Sequence, residues 1–167
     1  MAFNIHAASI PVFQRMLRNL DAILLKAEAH AETQGFDPMV LTTARLYPDM
    51  LPLTAQVFIA ADTCKGAAAR LAGREIPAYP DVETSLGELS ARLRRTLDFL
   101  ADFRPEEFDG SETRQIVLKL RTRTLEFSGQ DYLLHFVLPN LHFHVATAYG
   151  ILRHNGVPLG KADFLGG

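Results

Sequence analysis

Apolar residues recur every three or four positions along four stretches of the chain, which is the spacing of one buried helix face. The first predicted helix runs from about residue 9 to 30, and Ser9 with Pro11 marks its start because proline fits the first helical turn. The apolar stripe of this helix consists of Phe13, Leu17, Leu20, Leu24 and Ala27.

A connector over residues 34–50 separates the first helix from the second, and Asp37 with Pro38 predicts one short helical turn inside it. The second helix is predicted from about Pro52 to Leu71. Apolar residues cover more than half of its circumference, which indicates a central, buried helix.

The third helix is predicted to begin at Ser85 and to stop before Pro105. Ser85 and Glu88 have the spacing of a capping box, in which each side chain bonds the other residue's backbone N–H. The segment 73–82 before this helix is predicted to be a loop.

Hydrophobic and polar residues alternate between residues 115 and 127, which predicts a short β-hairpin or extended arm. Lys119, Arg121 and Arg123 fall on one side of this arm and are interpreted as a solvated face. The last helix is predicted over 131–154, in two pieces because Pro139 lacks an N–H.

Four long amphipathic helices indicate an all-α, antiparallel four-helix bundle, and residues 1–167 suit a single domain. The net charge of -2 gives no electrostatic case for binding nucleic acid or an acidic membrane. Cys64 is the only cysteine, so no intramolecular disulfide forms. No apolar run has the length of a membrane span, and the first residues do not resemble a signal peptide. We therefore expect a cytoplasmic protein without membrane partners.

The segment 138–157 carries three histidines, His142, His144 and His154. On a helical wheel His144 flanks the apolar stripe, while His142 lies about 160° away, beside Tyr149. One helix therefore cannot present both to a single ion. His144 is either hydrogen-bonded to another helix or in contact with a metal or substrate, and His154 is expected at the surface.

Gln56 and Asp62 are polar residues in the otherwise apolar second helix. A buried carboxylate needs a partner, so Asp62 either pairs with Arg15, Arg18 or a histidine, or acts as a ligand or general base. Cys64 lies on the apolar face and is predicted to be a buried, inert thiol.

Three segments, YPDMLPLTAQVFIAADTCKG, SGQDYLL and the final stretch from LPN to LGG, resemble an uncharacterised bacterial family of the DinB/YfiT-like superfamily of metalloenzymes. The resemblance covers essentially the whole chain. It implies a four-helix bundle with a long crossover connection, often assembled as a homodimer. It also implies a divalent metal, zinc or nickel, on three histidines, and in some members a thiol-dependent transferase activity.

In that superfamily one histidine comes from the second helix and two, spaced i, i+4, come from the last. His144 matches the first of the last-helix pair, but Ala148 stands where the second should be. The second-helix histidine is missing, and Gln56 is the nearest polar substitute. The resemblance therefore implies a degenerate metal site.

Two functions follow as hypotheses. The first is a non-catalytic or small-ligand-binding dimeric bundle, with a polar pocket around His144, Gln56 and Tyr149. The second is a metal-dependent transferase or hydrolase with a rearranged site that uses His142, His144 and Asp62. A nucleic-acid role, prompted by the DNA-damage link in the superfamily's name, is disfavoured by the net charge.

Overall fold

The computed structural model describes residues 4–120 and 122–166. Four long helices form a bundle whose core consists mainly of leucine, alanine and isoleucine side chains. In chain order the elements are α1 (Ile5–Gln34), α2 (Met39–Thr43), α3 (Leu53–Ala72), α4 (Leu86–Ala101), a 3₁₀ turn (Pro105–Phe108), β1 (Gln115–Lys119), β2 (Thr124–Ser128), α5 (Gly129–Asp131), a π-helical segment (Tyr132–Val137), α6 (Leu138–His154) and α7 (Lys161–Leu165). Helix α1 packs mainly against α4, and α3 packs against α6 and α4.

Helix α1 begins earlier than predicted, so the start assigned to Ser9 and Pro11 is wrong. The Asn4 side chain caps the helix by accepting a hydrogen bond from Ala7 N at 2.9 Å. The buried Ser9 hydroxyl instead donates to the Ile5 carbonyl at 2.6 Å, and Pro11 lies inside the helix. Asparagine is among the strongest capping residues, which explains the earlier start.

Helices α2, α3 and α4 confirm the predicted elements. Asp37 Oδ1 accepts from Met39 N at 2.9 Å at the start of the short α2 turn. The capping box of α4 forms, with Ser85 Oγ accepting from Glu88 N at 3.2 Å. This helix ends at Ala101, before Pro105 as predicted.

The predicted hairpin also forms, as an antiparallel pair that runs from Gln115 opposite Ser128 to Lys119 opposite Thr124. Ile116 on β1 is buried, as is Leu118. Lys119 and Arg123 are exposed, as expected for a solvated face, and Arg121 lies outside the described residues.

The last helix is not broken at Pro139. Asp131, Tyr132, Val137 and Leu138 all have right-handed helical dihedral angles, so α5, the π-helical segment and α6 form one continuous helix. A proline ring normally clashes with the carbonyl four residues earlier, which here belongs to the π-helical segment. The wider π turn accommodates the ring, so the prediction of two pieces is wrong.

The C-terminal segment returns to α1. Arg15 Nη2 donates to the Leu165 carbonyl at 2.7 Å, and Lys26 forms an ion pair with Asp163 at 2.6 Å. Within the described ranges, no helix combines the length and the apolar character needed to cross a membrane.

Candidate functional site

His144 of α6 and Gln56 of α3 meet at the interface between these two helices. The His144 Nδ1 atom lies 2.7 Å from Gln56 Oε1. Both residues are buried, with exposed fractions of 8% for His144 and 2% for Gln56. The hydrogen bond therefore forms in a largely desolvated environment, where polar groups require a partner.

The hydrogen bonds of Gln56 determine which nitrogen of His144 carries the proton. Gln56 Nε2 donates to the Leu51 carbonyl at 3.0 Å, so its Oε1 must face the imidazole. An amide oxygen only accepts, and His144 Nδ1 is therefore the donor. Burial lowers the pKa of His144, which favours the neutral ring with a lone pair on Nε2.

The Nε2 atom of His144 is the free end of this pair. It makes no hydrogen bond to the residues that the structure describes, and it is not among the fully buried atoms without a partner, so solvent reaches it. An exposed aromatic side chain lies nearby. Phe143 is 58% exposed, and its ring centroid lies 5.2 Å from that of the imidazole.

Two further hydrogen-bonded pairs join α3 to the last helix. Asn140 Nδ2 donates to Thr63 Oγ1 at 2.8 Å, and Arg70 Nη1 donates to the Tyr132 hydroxyl at 3.3 Å. We call these pairs, together with Gln56–His144, the polar seam. Its α3 members are Gln56, Thr63 and Arg70, which follow one another at intervals of seven residues and so share one face of the helix.

The π-helical segment aligns the other side of the polar seam. Tyr132 and Asn140 are eight residues apart, which would place them about 80° apart on a regular α-helix. A π turn accommodates one additional residue. The eight residues from Tyr132 to Asn140 therefore cover the same rotation as seven residues of a regular α-helix, and both side chains face α3. The polar seam was not predicted from the sequence, although the seven-residue repeat of polar residues in the apolar helix α3 indicates it.

The other predicted pocket residues lie elsewhere. Tyr149 packs its ring against Phe164 of α7, with centroids 6.4 Å apart. His142 is exposed on α6, as is His154. The structure therefore brings Gln56 to His144 but places neither Tyr149 nor His142 in that pair.

Asp62 forms a structural ion pair, but not with the predicted partners. Its Oδ1 lies 2.7 Å from Lys65 Nζ and 3.2 Å from Arg92 Nη2. Arg15 instead binds the C-terminal segment. Gln56 and Asp62 are six residues apart, or about 120° around α3, so Asp62 faces α4 whereas Gln56 faces α6.

Cys64 is fully buried, and burial raises the pKa of its thiol well above the usual value. A buried protonated thiol is a poor nucleophile, in agreement with the inert role predicted for it.

The described residues do not fit a metal centre of the superfamily type. No three His, Cys, Asp or Glu side chains within the described parts of the chain lie close enough together to hold an ion. A catalytic zinc site needs three protein ligands and an open position. The Gln56–His144 pair offers only one free metal ligand, the Nε2 atom of His144. Ala148 cannot bind metal, and the amide of Gln56 is already hydrogen-bonded through both its oxygen and its nitrogen.

Comparison with known proteins agrees with this architecture. The profile of a domain of unknown function, DUF1993, matches residues 5–165. The fold is similar to the crystal structure of a DinB family member protein from Shewanella denitrificans, with a TM-score of 0.92 and 42% sequence identity. That alignment covers 98% of this chain and 92% of the other. No curated protein matches the chain significantly.

Proposed function

The chain belongs to the DUF1993 family, and on that premise we propose that it is a non-catalytic, dimeric DinB-like scaffold that binds a small ligand at His144 instead of a metal ion. The observation that carries this proposal is the Gln56–His144 hydrogen bond of 2.7 Å, which leaves one nitrogen, Nε2, as the free polar atom of the pair. One nitrogen suffices to orient an organic ligand, whereas a metal site needs several ligands.

The chemistry around Nε2 suits a ligand with one hydrogen-bond donor and an apolar body. The neutral imidazole accepts a hydrogen bond at Nε2 because its Nδ1 proton is held by Gln56. The exposed ring of Phe143 offers an apolar contact beside the imidazole. A phenol or an amide N–H carried on an apolar group has this combination.

Exposed apolar residues on the connector and α6 support a homodimer. Leu46 of the connector lies close to α6, because its Cδ1 atom would be 3.5 Å from a Cβ atom added to Gly150. Exposed apolar patches of this kind mark protein interaction sites, and a second copy of the chain is the partner we propose. The exposed apolar face comprises Met39, Val40, Leu46, Tyr47, Leu51 and Phe143.

A metal-dependent transferase or hydrolase is the second candidate. Metal-binding histidines usually donate their other ring N–H to a nearby acceptor, as His144 does to Gln56. In that case the missing ligands would have to come from a substrate, such as a thiolate, or from a second chain.

Metal analysis separates the two candidates. We would measure zinc and nickel by elemental mass spectrometry after incubation with each ion, in untagged wild-type protein and in His144→Ala. The exposed His142→Ala is the matched control. We expect no stoichiometric metal in any of the three. About one ion per chain, lost only in His144→Ala, would overturn the proposal in favour of the enzyme.

Ligand binding is tested with 4-fluorophenol, which carries one O–H donor on an aromatic ring. We expect its fluorine resonance to shift with wild-type protein and with His142→Ala, but not with His144→Ala. Equal shifts with all three proteins would show that His144 does not receive the ligand.

A further inference from the structure

A second polar region lies on the α4 side of α3, away from the polar seam. A cavity of about 330 Å³ opens there between α4 and the loop that precedes it. Cavities of this size accommodate small organic molecules. Part of the cavity wall is apolar and consists of Tyr79, Pro80, Val82 and Ala91.

A buried arginine fixes the loop that forms this wall. The Arg92 side chain is only 1% exposed, and it bonds Asp81 Oδ1 at 2.8 Å and Glu83 Oε2 at 3.2 Å. It also donates to the Pro80 carbonyl at 3.0 Å. A buried charge is tolerated only when it is well paired, so these bonds hold residues 80–83 in one arrangement. The cavity is therefore formed before any ligand arrives, which lowers the entropy cost of binding.

The aromatic side of the cavity is fixed by two cations. Lys65 Nζ, itself paired with Asp62 at 2.7 Å, lies 4.0 Å from the centroid of the Tyr79 ring. The Arg95 guanidinium also lies 4.0 Å from that centroid. An arginine stacked on an aromatic ring keeps its in-plane N–H donors available for a carboxylate or phosphate.

Among the residues that the structure describes, Arg95 is the cation of the cavity that lacks an acidic partner. Glu83 is paired with Arg92. Glu88 accepts hydrogen bonds from Thr84 N at 2.8 Å and Ser85 N at 3.0 Å, and these bonds lower its pKa. Within residues 4–120 and 122–166, Arg95 forms no ion pair. The carboxylates of the wall are thus already satisfied, while the donors of Arg95 are not.

We propose that this cavity is a binding site for a small monoanionic organic acid with a flat apolar body. The carboxylate of the ligand pairs with the in-plane N–H groups of Arg95, as arginine does with planar anions. Its apolar body rests against Pro80, Val82 and Ala91. A dianion such as a phosphate ester is disfavoured by the nearby carboxylates of Glu83 and Glu88.

The test uses 4-fluorobenzoate and its uncharged analogue methyl 4-fluorobenzoate, which has no hydrogen-bond donor for His144, observed by fluorine NMR. We expect 4-fluorobenzoate to bind the wild-type chain with a Kd of about 1 mM, and Arg95→Gln to weaken it about tenfold. Arg94→Gln is the matched control, because Arg94 is adjacent in sequence but pairs with Asp21 on α1. It should leave the affinity unchanged, as should His144→Ala.

A second variant tests the apolar wall without changing charge. Ala91→Leu narrows the cavity and is expected to weaken 4-fluorobenzoate, and the perturbed backbone amide resonances should cluster between residues 79 and 95. The proposal fails if methyl 4-fluorobenzoate binds as tightly as the acid, if Arg94→Gln weakens binding as much as Arg95→Gln does, or if no binding is seen.

Discussion

The protonation of His144 depends on the burial of its ring, which lowers its pKa, and is open to change through the side chain that faces Nδ1. Its Nδ1 proton faces the neutral amide oxygen of Gln56 at 2.7 Å, which gives an imidazolium no counter-charge. Gln56→Glu places a carboxylate of nearly the same shape there, and a nearby negative charge stabilises the protonated ring. We therefore expect the pKa of His144 to rise in this variant, as measured by NMR titration of the imidazole. An unchanged or lower pKa would show that the two side chains are not in contact.

The burial of His144 also sets a pH dependence of stability. Its pKa is lowered in the folded chain, so the unfolded chain binds more protons between that value and about 6.5. The free energy of unfolding then rises with pH in this window. The contribution of the neutral His144 ring to stability is lost as the pH falls through it. Urea unfolding at pH 7 and pH 5 should show a smaller loss for His144→Gln than for wild type. Equal losses would contradict the desolvated environment described for the ring.

At the scale of single elements, the start of α4 offers a direct test of local sequence signals. Ser85 Oγ accepts from Glu88 N at 3.2 Å, and loss of such a cap costs about 1 kcal/mol. We expect Ser85→Ala to lower Tm by about 3 °C in thermal unfolding. Ser85→Asp keeps an oxygen acceptor and should retain most of the stability; equal losses in both variants would argue against capping as the cause.

Local signals of this kind predicted most of the elements, and they failed where two signals competed. Ser9 and Pro11 looked like a helix start, yet Asn4 supplies the cap and Pro11 is tolerated inside α1. Pro139 looked like a break, but the π-helical segment absorbs it. In both cases proline was interpreted without knowing which backbone carbonyls lay near its ring.

Contacts between helices were harder to predict than the helices themselves. Gln56 and His144 were both selected from the sequence as candidate site residues, because polar residues on apolar helices need partners. The wheel could not tell which neighbouring helix each residue of α3 faces. It therefore missed Arg92 as the partner of Asp62, and it grouped Tyr149 with His144, whereas the Tyr149 ring packs against Phe164.

At the scale of the whole molecule, the exposed apolar face defined above makes a prediction about assembly. Each of its six side chains is between 40% and 66% exposed, and a second copy of the chain would remove this apolar surface from water. We expect a dimer in light scattering coupled to gel filtration, and we expect Phe143→Asp to shift it to the monomer. Leu25→Asp, at a position 46% exposed on α1, is the control and should remain dimeric. A wild-type monomer, or a dimer unaffected by Phe143→Asp, would exclude this face as the interface.

The polar seam has a further consequence for how the bundle chooses its alignment. The face of α3 toward its neighbours is rich in alanine, including Ala60, Ala61, Ala67 and Ala68, all fully buried. Small, similar side chains would pack almost equally well if α3 slid along the last helix. The three hydrogen-bonded pairs form together in only one such position. Any shift would leave the buried side chains of Gln56, His144 and Tyr132 unpaired, at a cost of about 1–3 kcal/mol each. The polar seam thus fixes the position of α3 along the last helix. It selects one packing arrangement among several that the alanine side chains alone would permit.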